Sequence, residues 1–231
     1  MDNHLTIEPR FCGPINSGNG GYVCGLLSNY VDYTAEVTLR QPPPLNTEMD
    51  VVVEENELRL MLSNETIASV TSGTIDFEAP QAPDFHMAVE ASKNYLGFKD
   101  HPYPYCFVCG PNRNSPDALC IFPGKSSNDS IIAAPWEPDK LLADTDGNVK
   151  NEFVWAALDC PGGIVVLEES KMILLGRMTA KIKFKIQVGE KCVVIGWLKR
   201  QEGRKLYSGT AIYTESKGLC AVANAIWIDT K

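Results

Sequence analysis

Residues 34–39 read Thr-Ala-Glu-Val-Thr-Leu, and residues 179–184 read Thr-Ala-Lys-Ile-Lys-Phe. Both stretches alternate polar and apolar side chains, which is the period of a β-strand with one buried face. Each is followed by a short break and then by a second apolar stretch, Met49 to Glu54 in one case and Cys192 to Leu198 in the other. A pattern written twice in this way predicts two structural repeats in one chain.

A pair of glycines lies upstream of each repeated strand. Gly20-Gly21 precedes Tyr-Val-Cys-Gly-Leu-Leu, and Gly162-Gly163 precedes Ile-Val-Val-Leu. The predicted order in both repeats is a strand, a glycine-rich loop, a helix that follows the glycines, and four strands. Between the repeats, Asp84 is suited to cap a short helix through about Leu96.

These boundaries divide the chain into three predicted segments. The first repeat covers residues 1–80, a linker with its own short helix covers 81–105, and the second repeat covers 106–231. The predicted fold class is α+β, because each repeat has one central helix wrapped by a curved antiparallel sheet.

Two motifs carry a resemblance to a known superfamily. The stretch from Asn19-Gly20-Gly21 through Leu27-Ser28-Asn29 resembles the His-Gly-Gly…Leu-Ala-Asp sequence with which the central helix of hot-dog acyl-CoA thioesterases begins. The stretch that begins Cys106-Phe-Val-Cys-Gly resembles the opening of single-domain members of that superfamily. The resemblance implies a double hot-dog fold and hydrolysis of a thioester.

Charge and composition exclude several classes of protein. The 231 residues include 44% hydrophobic side chains and carry a formal net charge of −8, so a general nucleic-acid-binding role is not expected. Residues 1–105 hold 5 basic and 15 acidic side chains, whereas residues 106–231 hold 16 and 14. No signal peptide and no membrane span is predicted, and we expect a cytoplasmic location.

The eight cysteines are interpreted as free thiols in a reducing compartment, because the chain is too long to need disulfides for its stability. The pair Cys106 and Cys109 has the spacing of zinc ligands, and Cys120 or His101 could add to it. The spacing of the further candidates is irregular, so two thiols in a loop before a strand is the favoured interpretation. We therefore predict no metal and no cofactor.

The resemblance also suggests candidates for the chemistry. Asn19 stands where the family has His. The family's helix acid falls at Ser28 or Asn29, where this chain has no carboxylate, and Asp32 lies about one turn later. Asp159 is therefore the first candidate for the base and Glu169 the second, with the N–H of Gly163 polarising the thioester carbonyl. Asn19 or Asn16 would then position water or substrate. The alternatives are a helix cap for Asp159, a solvated helix face for Glu169 and a turn for Asn19.

Residues for substrate binding are predicted from two features. Glycines allow a ligand to approach the backbone, and basic side chains suit the phosphates of coenzyme A. Trp155 could stack on a ligand, although a core position is the simpler interpretation, and the basic side chains could instead pair with the acidic first repeat. The candidates are Gly20, Gly21, Gly162, Gly163, Arg177 and Trp155.

The sequence therefore predicts an acyl-CoA thioesterase-like hydrolase that uses a carboxylate-activated water and helix N–H groups. The alternative is a non-catalytic hot-dog protein that binds acyl-CoA or an acyl chain, since the first repeat lacks the family's His and acid. Cys160 as a nucleophile is a weaker hypothesis, because no His lies near it in sequence. A His-dependent hydratase is weaker as well, because the three histidines, His4, His86 and His101, lie in the N-terminal arm or the linker. The expected partner is a thioester, with no nucleic acid and no membrane. Formation of a homodimer is left open.

Overall fold

The computed structural model describes residues 3–55, 57–126, 130–167 and 172–230. Three α-helices lie in this part of the chain: α1 (Gly20–Ser28), α2 (Phe85–Ser92) and α3 (Asn151–Ile164). Short 3₁₀ turns cover Pro9–Phe11, Leu96–Phe98 and Lys140–Leu142. None of the helices in the described ranges is long and apolar enough to cross a membrane.

Within the same described ranges, eleven strands form one antiparallel sheet. In chain order they are β1 (His4–Thr6), β2 (Ala35–Leu39), β3 (Glu48–Val53), β4 (Leu58–Leu62), β5 (Glu65–Ser72), β6 (Gly124–Lys125), β7 (Ile132–Trp136), β8 (Ile173–Ile182), β9 (Cys192–Glu202), β10 (Lys205–Thr214) and β11 (Gly218–Asp229). The spatial order is β1-β3-β4-β5-β2-β8-β11-β10-β9-β7-β6.

The two predicted repeated strands meet at the centre of this sheet. β2 pairs with β8 through Glu36–Thr179, Val37–Met178 and Thr38–Arg177. From this junction outward, β5, β4 and β3 follow on one side, and β11, β10 and β9 follow in the same order on the other. The strands predicted from residues 34–39 and 179–184 are thus largely confirmed, although β8 begins at Ile173 and ends at Ile182.

The two faces of the sheet bury different helices. Cys192 and Val194 of β9 belong to the main core together with α1 and α3, whereas Val193 and Ile195 pack with Ala88 of α2 in a second cluster. Successive side chains of a strand point to opposite faces, so α2 covers the face that α1 and α3 do not. Asp84 accepts a hydrogen bond from the N–H of Met87, which confirms the predicted cap of α2.

The start of the second central helix differs from the prediction. α3 begins at Asn151 and already ends at Ile164, so Gly162 and Gly163 lie in its last turn and do not open it. The structure places both glycines where a side chain would collide. A Cβ at Gly162 would lie 2.7 Å from Oγ of Ser208, and one at Gly163 would lie 2.9 Å from the indole ring of Trp227. The glycines therefore allow the helix end to pack closely on the sheet.

Helices α1 and α3 cross at two glycines of α1. A Cβ on Gly25 would lie 2.5 Å from Cα of Glu152, and a Cβ on Gly21 would overlap Cβ of Asp159. Gly21 and Gly25 are four residues apart and so share one face of the helix. The absence of side chains at these two positions sets the distance between the helices.

We expect Gly25→Ala to lower the free energy of unfolding by about 1–3 kcal/mol, because the new methyl group meets the backbone of α3 and overpacks the crossing. Gly20→Ala is the matched control, since its methyl group meets the flexible end of the Leu175 side chain at 2.8 Å. The gain in helix propensity from Gly to Ala applies fully at the interior position Gly25 and less at Gly20, the first helical residue, so propensity alone would favour the Gly25 variant. Chemical denaturation measures the difference, and equal stabilities for the two variants would contradict this account of the crossing.

Candidate functional site

Asn19 links the start of α1 to α3. Its Oδ1 accepts a hydrogen bond from the N–H of Tyr22 at 2.9 Å, as expected of an N-cap residue. Its Nδ2 donates to Oδ2 of Asp159 at 3.0 Å. The residue is only 2% exposed, so both ends of its amide are used inside the protein.

Asp159 is a buried carboxylate with one fixed and one free oxygen. It is 2% exposed, and its Oδ2 accepts hydrogen bonds from Nδ2 of Asn19 and, at 2.9 Å, from the N–H of Gly21. Its Oδ1 is buried and has no hydrogen-bond partner among the residues that the structure describes. Burial raises the pKa of Asp159 to about 7, even though these two donors favour the charged form.

The surrounding cavity has a volume of about 460 Å³ and lies where α1, α3 and β8 meet. Asn19, Gly20 and Asp159 line it. Most of its other walls are apolar, formed by Leu39, Pro42, Pro43, Pro102, Ile164, Leu167, Ile173, Leu174, Leu175, Trp227 and Ile228. Gly20 is the first residue of α1, and the first N–H groups of a helix have no acceptor within it. Its N–H is therefore available at the wall of the cavity.

Three thiols lie in the same wall. Cys106, Cys109 and Cys160 line the cavity, and their sulfur atoms lie within 4.8 Å of one another. Hydrogen bonds from the thiols of Cys109 and Cys160 lower the pKa of Cys106 well below its usual value. The pKa of Cys160 is raised, chiefly by its hydrogen bond to Cys106. Cys160 lies inside α3 and not at its start, so no helix N-terminus activates it as a nucleophile.

The structure brings together only some of the predicted site residues. Asn19, Gly20, Gly163 and Asp159 line the cavity, and Gly21 contacts Asp159 through its N–H. The prediction that the N–H of Gly163 lies at a helix start is wrong, because Gly163 is in the last turn of α3. The alternative that Asp159 caps the start of the second central helix is wrong as well, because Asp159 lies inside α3. Glu169 lies outside the described residues.

Four predicted ligand-binding residues lie away from the cavity. Asn16 is exposed in the loop before α1, Trp155 is buried in the core, and neither is among the residues that line the cavity. Gly162 packs against Ser208. Arg177 donates to Oγ1 of Thr38 and forms an ion pair with Glu36 at 3.1 Å, which satisfies its charge across the β2–β8 junction. The interpretation as a pair with the acidic first repeat therefore fits Arg177.

Sequence reasoning did not place four side chains at the cavity, namely Arg40, His101, Tyr103 and Cys160. Arg40 follows β2 and lines the cavity with an exposed side chain. His101 and Tyr103 come from the extended segment after α2. Cys160 was not connected with Cys106 and Cys109, because 51 residues separate it from Cys109 and only the fold brings them together. No local pattern in the sequence predicts that these residues lie together at the cavity.

Replacement of Asn19 tests its two roles separately. We expect Asn19→Ala to lower the free energy of unfolding by about 1 kcal/mol or more, because the cap of α1 is lost and Asp159 loses a donor. Asn19→Ser keeps a side-chain oxygen that can accept the cap hydrogen bond from the N–H of Tyr22. It lacks the amide nitrogen that donates to Asp159. Urea denaturation should place the Ser variant between the wild type and the Ala variant. A Ser variant as unstable as the Ala variant would contradict a role in capping.

No protein-family model and no curated protein sequence matches this chain. Solved structures match it over nearly the whole length. The tesB protein of Mycobacterium avium subspecies paratuberculosis is 9% identical with a TM-score of 0.63, and the match covers 97% of this chain and 91% of that one. A candidate thioesterase II from Thermobifida fusca is 13% identical with a TM-score of 0.61, covering 100% and 94%.

A third solved structure is a protein of unknown function with a hot-dog fold from Alicyclobacillus acidocaldarius. It is 11% identical with a TM-score of 0.62, and the match covers 99% of this chain and 92% of that one. Identities this low establish a shared fold and not a shared activity. The chain therefore has a hot-dog fold, like proteins that carry thioesterase names.

Proposed function

We propose that this protein hydrolyses acyl thioesters, with Asp159 as the base. The supporting observation is the state of this carboxylate, which is buried and held through Oδ2 by Asn19 and Gly21. Within the described ranges of the chain, its Oδ1 has no hydrogen-bond partner. A buried polar atom without a partner is costly, so its presence in a cavity wall favours a role towards a ligand. The thioesterase names of solved structures with the same fold agree with this proposal.

The reaction needs few groups from the protein. Oδ1 of Asp159 accepts a proton from a water molecule, and the oxygen of that water adds to the carbonyl carbon of the thioester. The N–H of Gly20 at the start of α1 donates to the oxyanion, where the positive end of the helix dipole adds to the effect. The carbon–sulfur bond then breaks, and the leaving thiolate takes up the proton from Asp159.

The walls of the cavity suit the two parts of such a substrate. The apolar side chains of β8, Trp227 and the end of α3 can bury an acyl chain. Arg40 lines the same cavity from the exposed side and can contact a negatively charged carrier such as coenzyme A. Arg40 thereby takes the role that the sequence suggested for Arg177, whose guanidinium is engaged by Glu36.

The order of strands on each side of the β2–β8 junction supports a finer proposal for the fold. We infer that residues 1–80 and 106–231 are two hot-dog units joined by the segment 81–105, with α1 and α3 as their central helices. One active site then forms at the crossing, since Asn19 and Gly20 come from the first unit and Asp159 from the second.

A free-thiol release assay over short, medium, long and aromatic acyl-CoAs tests the activity. We expect hydrolysis of at least one class by the wild type and a fall of about 10²–10⁴ in kcat/KM for Asp159→Asn, because the base is lost while the shape is kept. Glu152→Gln is the matched control, since this acid lies two turns earlier in α3 and does not line the cavity. It should retain the wild-type rate.

Two results would overturn this proposal. Binding of acyl-CoA in calorimetry without any release of thiol would favour the non-catalytic alternative. Full activity of Asp159→Asn, with an unchanged melting temperature, would show that another group activates the water.

The contribution of the Gly20 N–H has its own test. Gly20→Pro removes this N–H at the first helical position, where proline is tolerated because no helix bond is lost. Asn19 has φ −60° and ψ 129°, a conformation that is compatible with a following proline. We expect kcat to fall by about 10²–10³. Gly20→Ala adds a methyl group but keeps the N–H, so kcat should fall much less. Equal losses in the two variants would assign the effect to crowding of Leu175.

A further inference from the structure

The three thiols in the cavity wall form one compact cluster. Cys106 and Cys109 come from the turn after the segment 101–105, and Cys160 comes from the third turn of α3. The sulfur atoms of Cys106 and Cys160 are 3.6 Å apart. Thiolates bound to one zinc ion at about 2.3 Å in tetrahedral geometry lie about 3.8 Å from each other. The cluster thus has the dimensions of a shared metal site.

Hydrogen-bond donors surround these sulfur atoms. Nδ2 of Asn19 lies 3.9 Å from Sγ of Cys106 and 3.8 Å from Sγ of Cys160, and Nε2 of His101 lies 3.3 Å from Sγ of Cys109. Donors favour the charged thiolate over the neutral thiol. A Cβ on Gly110 would lie 2.5 Å from the backbone nitrogen of Cys106, so this glycine allows the tight turn that aims both thiols of the pair at α3.

His101 lies beside the three thiols as a hydrogen-bond donor and not as a metal ligand. Its Nδ1 accepts a hydrogen bond from the N–H of Tyr103 at 2.8 Å, and its Nε2 lies 3.3 Å from Sγ of Cys109. A ring whose Nδ1 accepts a hydrogen bond carries its proton on Nε2, so His101 donates to the sulfur and offers no lone pair to an ion.

We propose that Cys106, Cys109 and Cys160 bind one zinc ion as thiolates, with His101 and Asn19 as hydrogen-bond donors to the sulfur atoms. Thiolates are soft ligands that select zinc among the common divalent cations. Binding releases the thiol protons to solvent. The fourth position is left to a water or to a group of the bound ligand, as in zinc sites that keep one position open.

This site departs from the sequence-based prediction of no metal, and also from the ligands that spacing suggested. Cys120 points elsewhere, since its thiol donates to the backbone oxygen of Arg113. A disulfide is the competing use of the cluster, and all eight cysteines are free in the structure. A disulfide would join two of the three sulfur atoms and leave the third, whereas one ion uses all three.

Zinc content per chain, measured by atomic emission on full-length protein purified without chelators, is the first test. We expect close to one zinc per chain for the wild type and for the control Cys120→Ser, and loss of the metal in Cys106→Ser, Cys109→Ser and Cys160→Ser. His101→Ala should keep the stoichiometry, with an affinity about 10–100-fold weaker, because it removes a donor and not a ligand.

A second measurement keeps the test decisive if the cysteine variants do not fold. Metal-free wild type is titrated with Co²⁺, and a thiolate-to-metal absorption band that saturates at one equivalent is expected, together with a higher melting temperature. The zinc proposal fails if the wild type takes up neither ion, if Cys120→Ser loses as much metal as Cys160→Ser, or if mass spectrometry finds a disulfide within the cluster. Complete loss of metal in His101→Ala would overturn the three-thiolate ligand set.

Discussion

The close crossing of α1 and α3 is the constraint on which the rest of the site depends. Gly21 and Gly25 present bare backbone to α3, so the helices approach until Gly25 meets Cα of Glu152. At this distance the carboxylate of Asp159, in the middle of one helix, reaches the N–H of Gly21 at the start of the other. A side chain at either glycine would separate the groups that hold the carboxylate.

Because the two helices cross so closely, the residue that caps α1 also contacts polar side chains of α3. Asn19 would cap α1 in any protein, but here its amide also donates to Asp159 and lies next to the thiols of Cys106 and Cys160. The cost of burying a carboxylate is offset by two donors on one oxygen only, which leaves the other oxygen for a ligand. The surrounding apolar walls keep the local dielectric low and strengthen each of these interactions.

Local patterns in the sequence predict an element correctly where apolar spacing along one buried face, or a single cap residue, is enough to define it. The strands β2 and β9 follow from their apolar spacing, and Asp84 caps α2 as predicted. The sequence pattern predicts the second central helix after Gly162-Gly163, because Pro161-Gly162-Gly163 has the composition of a helix break. The helix instead runs through Pro161 and ends at Ile164. The glycines allow the helix to pack closely on Ser208 and Trp227, and no local sequence pattern predicts these contacts.

The sequence by itself determined that the chain is an acidic α+β protein with two similar strand patterns, and it singled out Asn19 and Asp159 as polar residues of interest. Only the tertiary structure decided that these two residues touch, that Arg177 is satisfied by Glu36, and that Cys160 joins the pair Cys106 and Cys109. The physical reason is the separation along the sequence between the residues that interact. Strand period and helix caps depend on neighbours a few residues apart. The contacts that assemble the candidate site join residues that are 54 to 140 positions apart and meet only when the core forms.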